Sequence, residues 1–188
     1  MFNTFKNLLS AGAEALLADR TLPISEELIN AYLSKFAEDV PELSSLSMDI
    51  QEGSFELVAE VRKIVSVKSR TRFEITSCEI SAAKQLITFR RISPTELSAD
   101  KLLDRILVQV LKAITCGIFQ IEPTQIALEG LPGMTVDGDS YTVDLSQTML
   151  AGSVTPKIES ALKFTGNLMR VKELKCVPKT LQVLIGKS

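Results

Sequence analysis

From Leu46 to Ile92 apolar residues recur at every second position, and this alternation constrains the fold more than any other feature of the chain. Leu46, Met48 and Ile50 alternate with Ser47, Asp49 and Gln51, and a turn follows at Glu52-Gly53. Phe55, Leu57, Ala59 and Val61 then alternate with Glu56, Val58, Glu60 and Arg62, until a phase slip near Lys63 signals a bulge or a short turn. A third strand, Ser69 to Ile80, sets Thr71, Phe73 and Ile75 against Arg70, Arg72, Glu74 and Thr76. A fourth runs from Gln85 to Ile92 after a turn at Ser81 to Lys84. Successive strand residues point to opposite faces, so these four predict an antiparallel meander whose apolar face needs a cover.

Helical spacing elsewhere offers that cover. Residues 2–18 carry Phe5, Leu8, Leu9, Ala13, Leu16 and Leu17 on one stripe. Ser25 is placed as an N-cap before Glu26 and Glu27, with Leu28, Ile29, Tyr32, Leu33 and Phe36 as the expected buried face of a helix ending before Pro41. The broadest stripe, Leu102, Leu103, Ile106, Leu107, Val110, Leu111, Ile114 and Ile118, marks a helix expected over 99–117 and closed near Gly117. Beyond it a tight hairpin is expected at Asp137-Gly138, a helix over 156–165 behind Thr155 and Pro156, and a last hairpin at Pro178-Lys179. The expected architecture is α+β in a single domain, 1–188, with an N-terminal amphipathic helix over 1–20 and a body over 21–188. In it a twisted antiparallel sheet wraps a long amphipathic helix, with additional N-terminal and C-terminal helix-hairpin units.

The chain has no histidine, the commonest general base and a leading metal ligand near neutral pH, so Ser-His-Asp, Cys-His and H-E-x-x-H sites are excluded. Gly186-Lys187-Ser188 fails as a phosphate loop because Leu181 stands where that loop needs glycine. Asp137, Asp139 and Asp144 lack the spacing of a calcium loop. Cys78, Cys116 and Cys176 are far apart and read as reduced, buried thiols. No enzyme, cofactor or metal is expected.

The net charge of −2 hides alternating blocks: −8 over 1–60, +6 over 61–91, −5 over 92–150 and +5 over 151–188. The basic block, with Arg62, Lys63, Lys68, Arg70, Arg72, Lys84, Arg90 and Arg91, reads either as an anion-binding face for phospholipid headgroups, nucleic acid or an acidic partner, or as a solvated exterior paired with glutamates. The overall acidity and an aromatic content of 5% argue against nucleic acid. No apolar run is long enough to span a bilayer, and the first residues lack the pattern of a secretory signal, so a cytoplasmic protein is expected.

Three stretches, Ile24 to Asn30, Leu46 to Val61 and Leu131 to Asp139, in the order helix, long strands, long apolar helix and D-G hairpin, resemble small bacterial members of the tubular lipid-binding superfamily. The resemblance implies a sheet wrapped around a long helix with an acyl groove between them. Here that groove would be lined by Leu102, Leu103, Ile106, Leu107, Val110 and Leu111, facing Phe55, Leu57, Phe73, Ile75 and Phe89. Headgroup contacts would come from Arg62, Lys63, Lys68, Arg70, Arg72, Arg90 and Arg91. It also implies a lipid or acyl ligand and peripheral membrane contact through Phe2, Phe5, Leu8 and Leu9. The alternative reading is a protein–protein interaction or homodimerisation module with a solid core and no ligand.

Overall fold

The computed structural model describes residues 19–38, 43–62, 66–81, 84–99, 105, 108–109, 133–147 and 169–187. Their elements run β1 (Arg20–Ser25), α1 (Glu26–Glu38), β2 (Leu43–Gln51), β3 (Ser54–Arg62), β4 (Ser66–Ile80), β5 (Gln85–Arg91), β6 (Glu96–Ser98), β7 (Met134–Asp137), β8 (Ser140–Asp144), β9 (Met169–Val177) and β10 (Thr180–Lys187). All ten strands belong to one sheet and every pairing is antiparallel.

The meander over β2 to β5 forms as the alternation predicts, with Met48 opposite Leu57, Leu57 opposite Thr71 and Ile75 opposite Phe89. The 15-residue β4 organises everything else. One of its edges takes β3 along the first half and β9 at Ile80; the other takes β6 beside Lys68 to Arg70 and β5 beyond Phe73. A register shift between Ile75 and Ser77 exchanges the faces of β4: Thr71 and Phe73 are buried before it, Ile80 after it. The outer strands follow in the orders β9-β10-β1 and β5-β8-β7.

Three two-residue hairpins set the registers. Glu52-Gly53 and Pro178-Lys179 carry positive φ at their second residue, +70° and +63°. The third turn is Gly138-Asp139, closed by Asp137 opposite Ser140, one residue beyond the expected Asp137-Gly138. Only its glycine has positive φ, at +58°, which suits a turn with glycine first.

The α+β expectation is corrected. The described residues are mostly strand, and the one complete helix among them is the short α1. Of the expected long helix only Arg105, Val108 and Gln109 are described; these are helical, and Val108 is buried. The remainder of that helix, the stripe over 2–18 and the helix over 156–165 lie outside the described residues. The physical reason for the correction is in the sheet itself. The hydrophobic cluster formed by Ile50, Phe55, Phe73, Tyr141 and Cys176 is drawn from strands, although the helical Ala37 and Val108 are buried as well. At its centre Phe55, Phe73, Phe89 and Tyr141, one from each of β3, β4, β5 and β8, pack ring on ring. The centroids of Phe73 lie 5.5, 5.2 and 5.5 Å from those of Phe55, Phe89 and Tyr141. Phe89 stacks on Tyr141 at 5.6 Å with the planes nearly parallel. Offset-stacked and edge-to-face contacts of this kind add to the burial of the rings.

Candidate interaction surface

The site most completely built by the fold is the junction of α1, the free edge of β2 and the turn between β9 and β10. On its outer side β2 presents backbone groups that β3 does not reach, and a strand edge left open is a template for uncontrolled pairing. Here α1 supplies the partners. The Asn30 side chain works as a peptide group would: its Oδ1 accepts from the Met48 N–H at 2.7 Å, and its Nδ2 donates to the Met48 carbonyl at 2.9 Å. Glu26 Oε2 accepts from the Ile50 N–H at 2.6 Å, and the Ile50 carbonyl accepts from the Lys179 N–H at 3.0 Å.

Lys179 ties the junction together. Its carbonyl accepts from the Glu26 N–H at 2.9 Å, and its ammonium reaches Glu26 Oε1 at 3.0 Å and Asp49 Oδ1 at 2.5 Å. A lysine at φ +63° is in a conformation that costs an ordinary residue roughly 1–2 kcal/mol, and this one is held there from four directions. The hairpin tip of β2 and β3 joins the same corner, the Gly53 N–H donating to the Cys176 carbonyl at 3.0 Å.

The hydrogen bond from Lys179, followed by that from Gln51, lowers the Asp49 carboxyl below its ordinary 3.8; bonds to Asp49 and Glu26 raise the Lys179 ammonium above 10.5. The pH dependence follows from these directions. The Asp49 contribution to stability is present above pH 3.8 and is lost as pH falls through its lowered folded value. The Lys179 contribution is complete below pH 10.5 and is lost as pH rises through its raised one. Urea midpoints across acid pH should therefore fall more steeply for the native chain than for Lys179→Met, which frees Asp49 from its main partner. Equal slopes would show that the pair makes no difference to folding.

The helix is anchored by its N-cap, Ser25 Oγ accepting from the Leu28 N–H at 3.3 Å, as the sequence predicts. The expected buried face is partly corrected. Ile29, Leu33 and Phe36 are half-buried, whereas Leu28 is 50% and Tyr32 54% exposed. The inward places beside Ile29 go to Glu26 and Asn30, because α1 meets a strand edge, where hydrogen-bonding side chains are needed, and not only an apolar sheet face.

The expected groove is only partly covered by the described residues. Its sheet wall, Phe55, Leu57, Phe73, Ile75 and Phe89, is brought together, but as part of the packed cluster around Tyr141, and Phe73 and Tyr141 are 0% exposed. Its helix wall, Leu102, Leu103, Ile106, Leu107, Val110 and Leu111, lies outside the described residues.

The cations alternate with acids. Lys68 stands opposite Glu60, Arg72 opposite Glu56, and Arg70 opposite Val58 on one side and Glu96 on the other. Arg90 pairs with Glu74, its Nε donating at 2.8 Å, and Arg91 with Asp139 at 3.0 Å. Arg62 pairs with Ser66 in the ladder, and Lys63 lies outside the described residues. This arrangement is a mosaic of both signs, of the kind a solvated sheet exterior carries.

Two surface pockets adjoin these strands. One of about 340 Å³ lies between Leu97, Ala99, Arg105 and Val108, and one of about 250 Å³ between Arg91, Ser93, Pro94 and Asp139. Asp144 spends both carboxylate oxygens locally, on Ser146 and on Gln147, and the Ser146 hydroxyl leads in lowering its pKa. Burial raises the thiols of Cys78, to about 11, and of Cys176; Cys116 lies outside the described residues. Among the described residues no three metal-capable side chains converge, and no helix is long and apolar enough to cross a membrane.

No family model matches the chain, and searches of curated proteins and of solved structures find no match.

The residues that sequence reasoning missed are Asn30, Asp49 and Lys179. The only signal for Lys179 is its place after a proline in a two-residue turn, which calls for positive φ. Asn30 carries the faint mark of being the one amide on the first two turns of an otherwise apolar and acidic helix.

Proposed function

We propose that the chain is a non-catalytic protein–protein interaction module that presents the outer face of α1 to a partner. The observation that carries this reading is the division of labour on α1. Its inner side is fixed to β2 through Glu26 and Asn30, while Leu28 and Tyr32, one turn apart, face outward half exposed. Large apolar side chains on a rigidly held helix suit recognition, because little conformational freedom remains to be lost on binding. The filled aromatic cluster supports the same reading, since it occupies the sheet surface that an apolar ligand would need. A cytoplasmic setting fits the free thiols of Cys78 and Cys176.

The test is native mass spectrometry of the chain purified from its own host. Masses of the bare chain, alone or in protein assemblies, support the module. Acyl species that co-purify in stoichiometric amount overturn it.

A further inference from the structure

We infer that the partner of this face is a second copy of the chain, docked α1 against α1, antiparallel about a two-fold axis at Ala31. The inference rests on the reading of α1 as an interaction surface and adds the identity of what binds there. Glu27, Leu28, Ala31, Tyr32 and Lys35 are all exposed and share the outer side of α1. Glu27 stands one turn before Ala31 and Lys35 one turn after it. A two-fold axis through Ala31 places whatever lies a turn before it in one copy beside whatever lies a turn after it in the other. Glu27 of each copy then meets Lys35 of the other, giving two ion pairs from one self-complementary patch.

A parallel arrangement would set Glu27 beside Glu27 and is disfavoured by like charge. Neither residue has an ion-pair partner among the described residues, whose bridges all involve other groups. The small side chain at Ala31 lets the two axes approach closely. Antiparallel helices also bring like flanks together, so Leu28 and Tyr32 of one copy cover Tyr32 and Leu28 of the other. A 13-residue helix is only about 20 Å long, so this contact falls at the small, transient end of protein interfaces, and a dissociation constant in the micromolar range is expected.

Sedimentation equilibrium from low to high micromolar protein tests the proposal, with circular dichroism confirming that each variant is folded. The native chain should pass from monomer to dimer. Glu27→Lys and Lys35→Glu should each weaken dimerisation by about tenfold or more, since each sets like charges face to face. An equimolar mixture of the two variants should recover the native affinity as a heterodimer, because both ion pairs are then restored, one in its native sense and one with its signs exchanged. A native chain that stays monomeric, or variants that are not rescued by mixing, overturns the proposal. A monomer of clean mass removes the second copy and leaves the interaction module standing, whereas bound acyl species remove the module itself.

Discussion

Phe73→Ala is expected to lower the unfolding free energy by about 3–5 kcal/mol, the range for deleting a fully buried aromatic ring. Phe73 is 0% exposed and is in contact with all three other rings of the cluster, Phe55, Phe89 and Tyr141. It also sits where β4 changes partners, opposite Phe55 on one side and Arg91 on the other. Truncation therefore opens a void at the point where the two halves of the sheet meet, and ladder hydrogen bonds on both sides resist its collapse. Against a typical domain stability of about 5–15 kcal/mol, such a loss places the variant near its folding limit. Urea denaturation measures it, with Tyr32→Ala as the exposed control, expected within about 0.5 kcal/mol of the native chain. A loss below about 1 kcal/mol for Phe73→Ala would mean that the ring is not enclosed as described.

The second large effect is expected at Asn30. Asn30→Ala leaves both the N–H and the carbonyl of Met48 without their side-chain partner, and the expected loss is about 1–3 kcal/mol. Asn30→Asp is the sharper probe. Its carboxylate still accepts from the Met48 N–H but sets a second oxygen against the Met48 carbonyl, where the amide had donated. Its deficit at neutral pH should shrink in acid, where the protonated carboxyl can donate again; Asn30→Ala should show no such recovery. Both variants uncover part of the β2 edge, so increased self-association through strand pairing should accompany the loss. Light scattering on the two variants and the native chain reads that consequence directly.

What the sequence made legible was local. The alternation from Leu46 to Ile92 located four strands because side-chain period is a property of the strand itself, and Pro178-Lys179 located a hairpin because proline fixes the first turn angle. The features that define the candidate surface are relations between distant segments. Glu26 and Lys179 lie 153 residues apart, and nothing in either neighbourhood announces the other.

The helical wheel misplaced Leu28 and Tyr32 because it equates apolar with inward. That rule fails where a helix must satisfy a strand edge and inward places go to residues that hydrogen-bond the backbone. The charge blocks were legible as arithmetic, but their meaning waited on register, which pairs Glu56 with Arg72 and Glu74 with Arg90 and turns a basic block into a mosaic. The long apolar stripe over 99–117 drew the fold towards α+β. The convergence of Phe55, Phe73, Phe89 and Tyr141 depends on pairings that no single strand encodes.

One helix closes the β2 edge with its inner side, and we propose that its outer side serves a partner. Amide hydrogen exchange at Met48 and Ile50 tests it most directly, because these outward N–H groups of β2 are bonded to side chains of α1 and to no strand. The expected result is slow exchange at both, with protection lost at Met48 in Asn30→Ala while the β3 amides paired with β4 stay protected. Fast exchange at Met48 and Ile50 in the native chain, beside protected neighbours in β3, would contradict it.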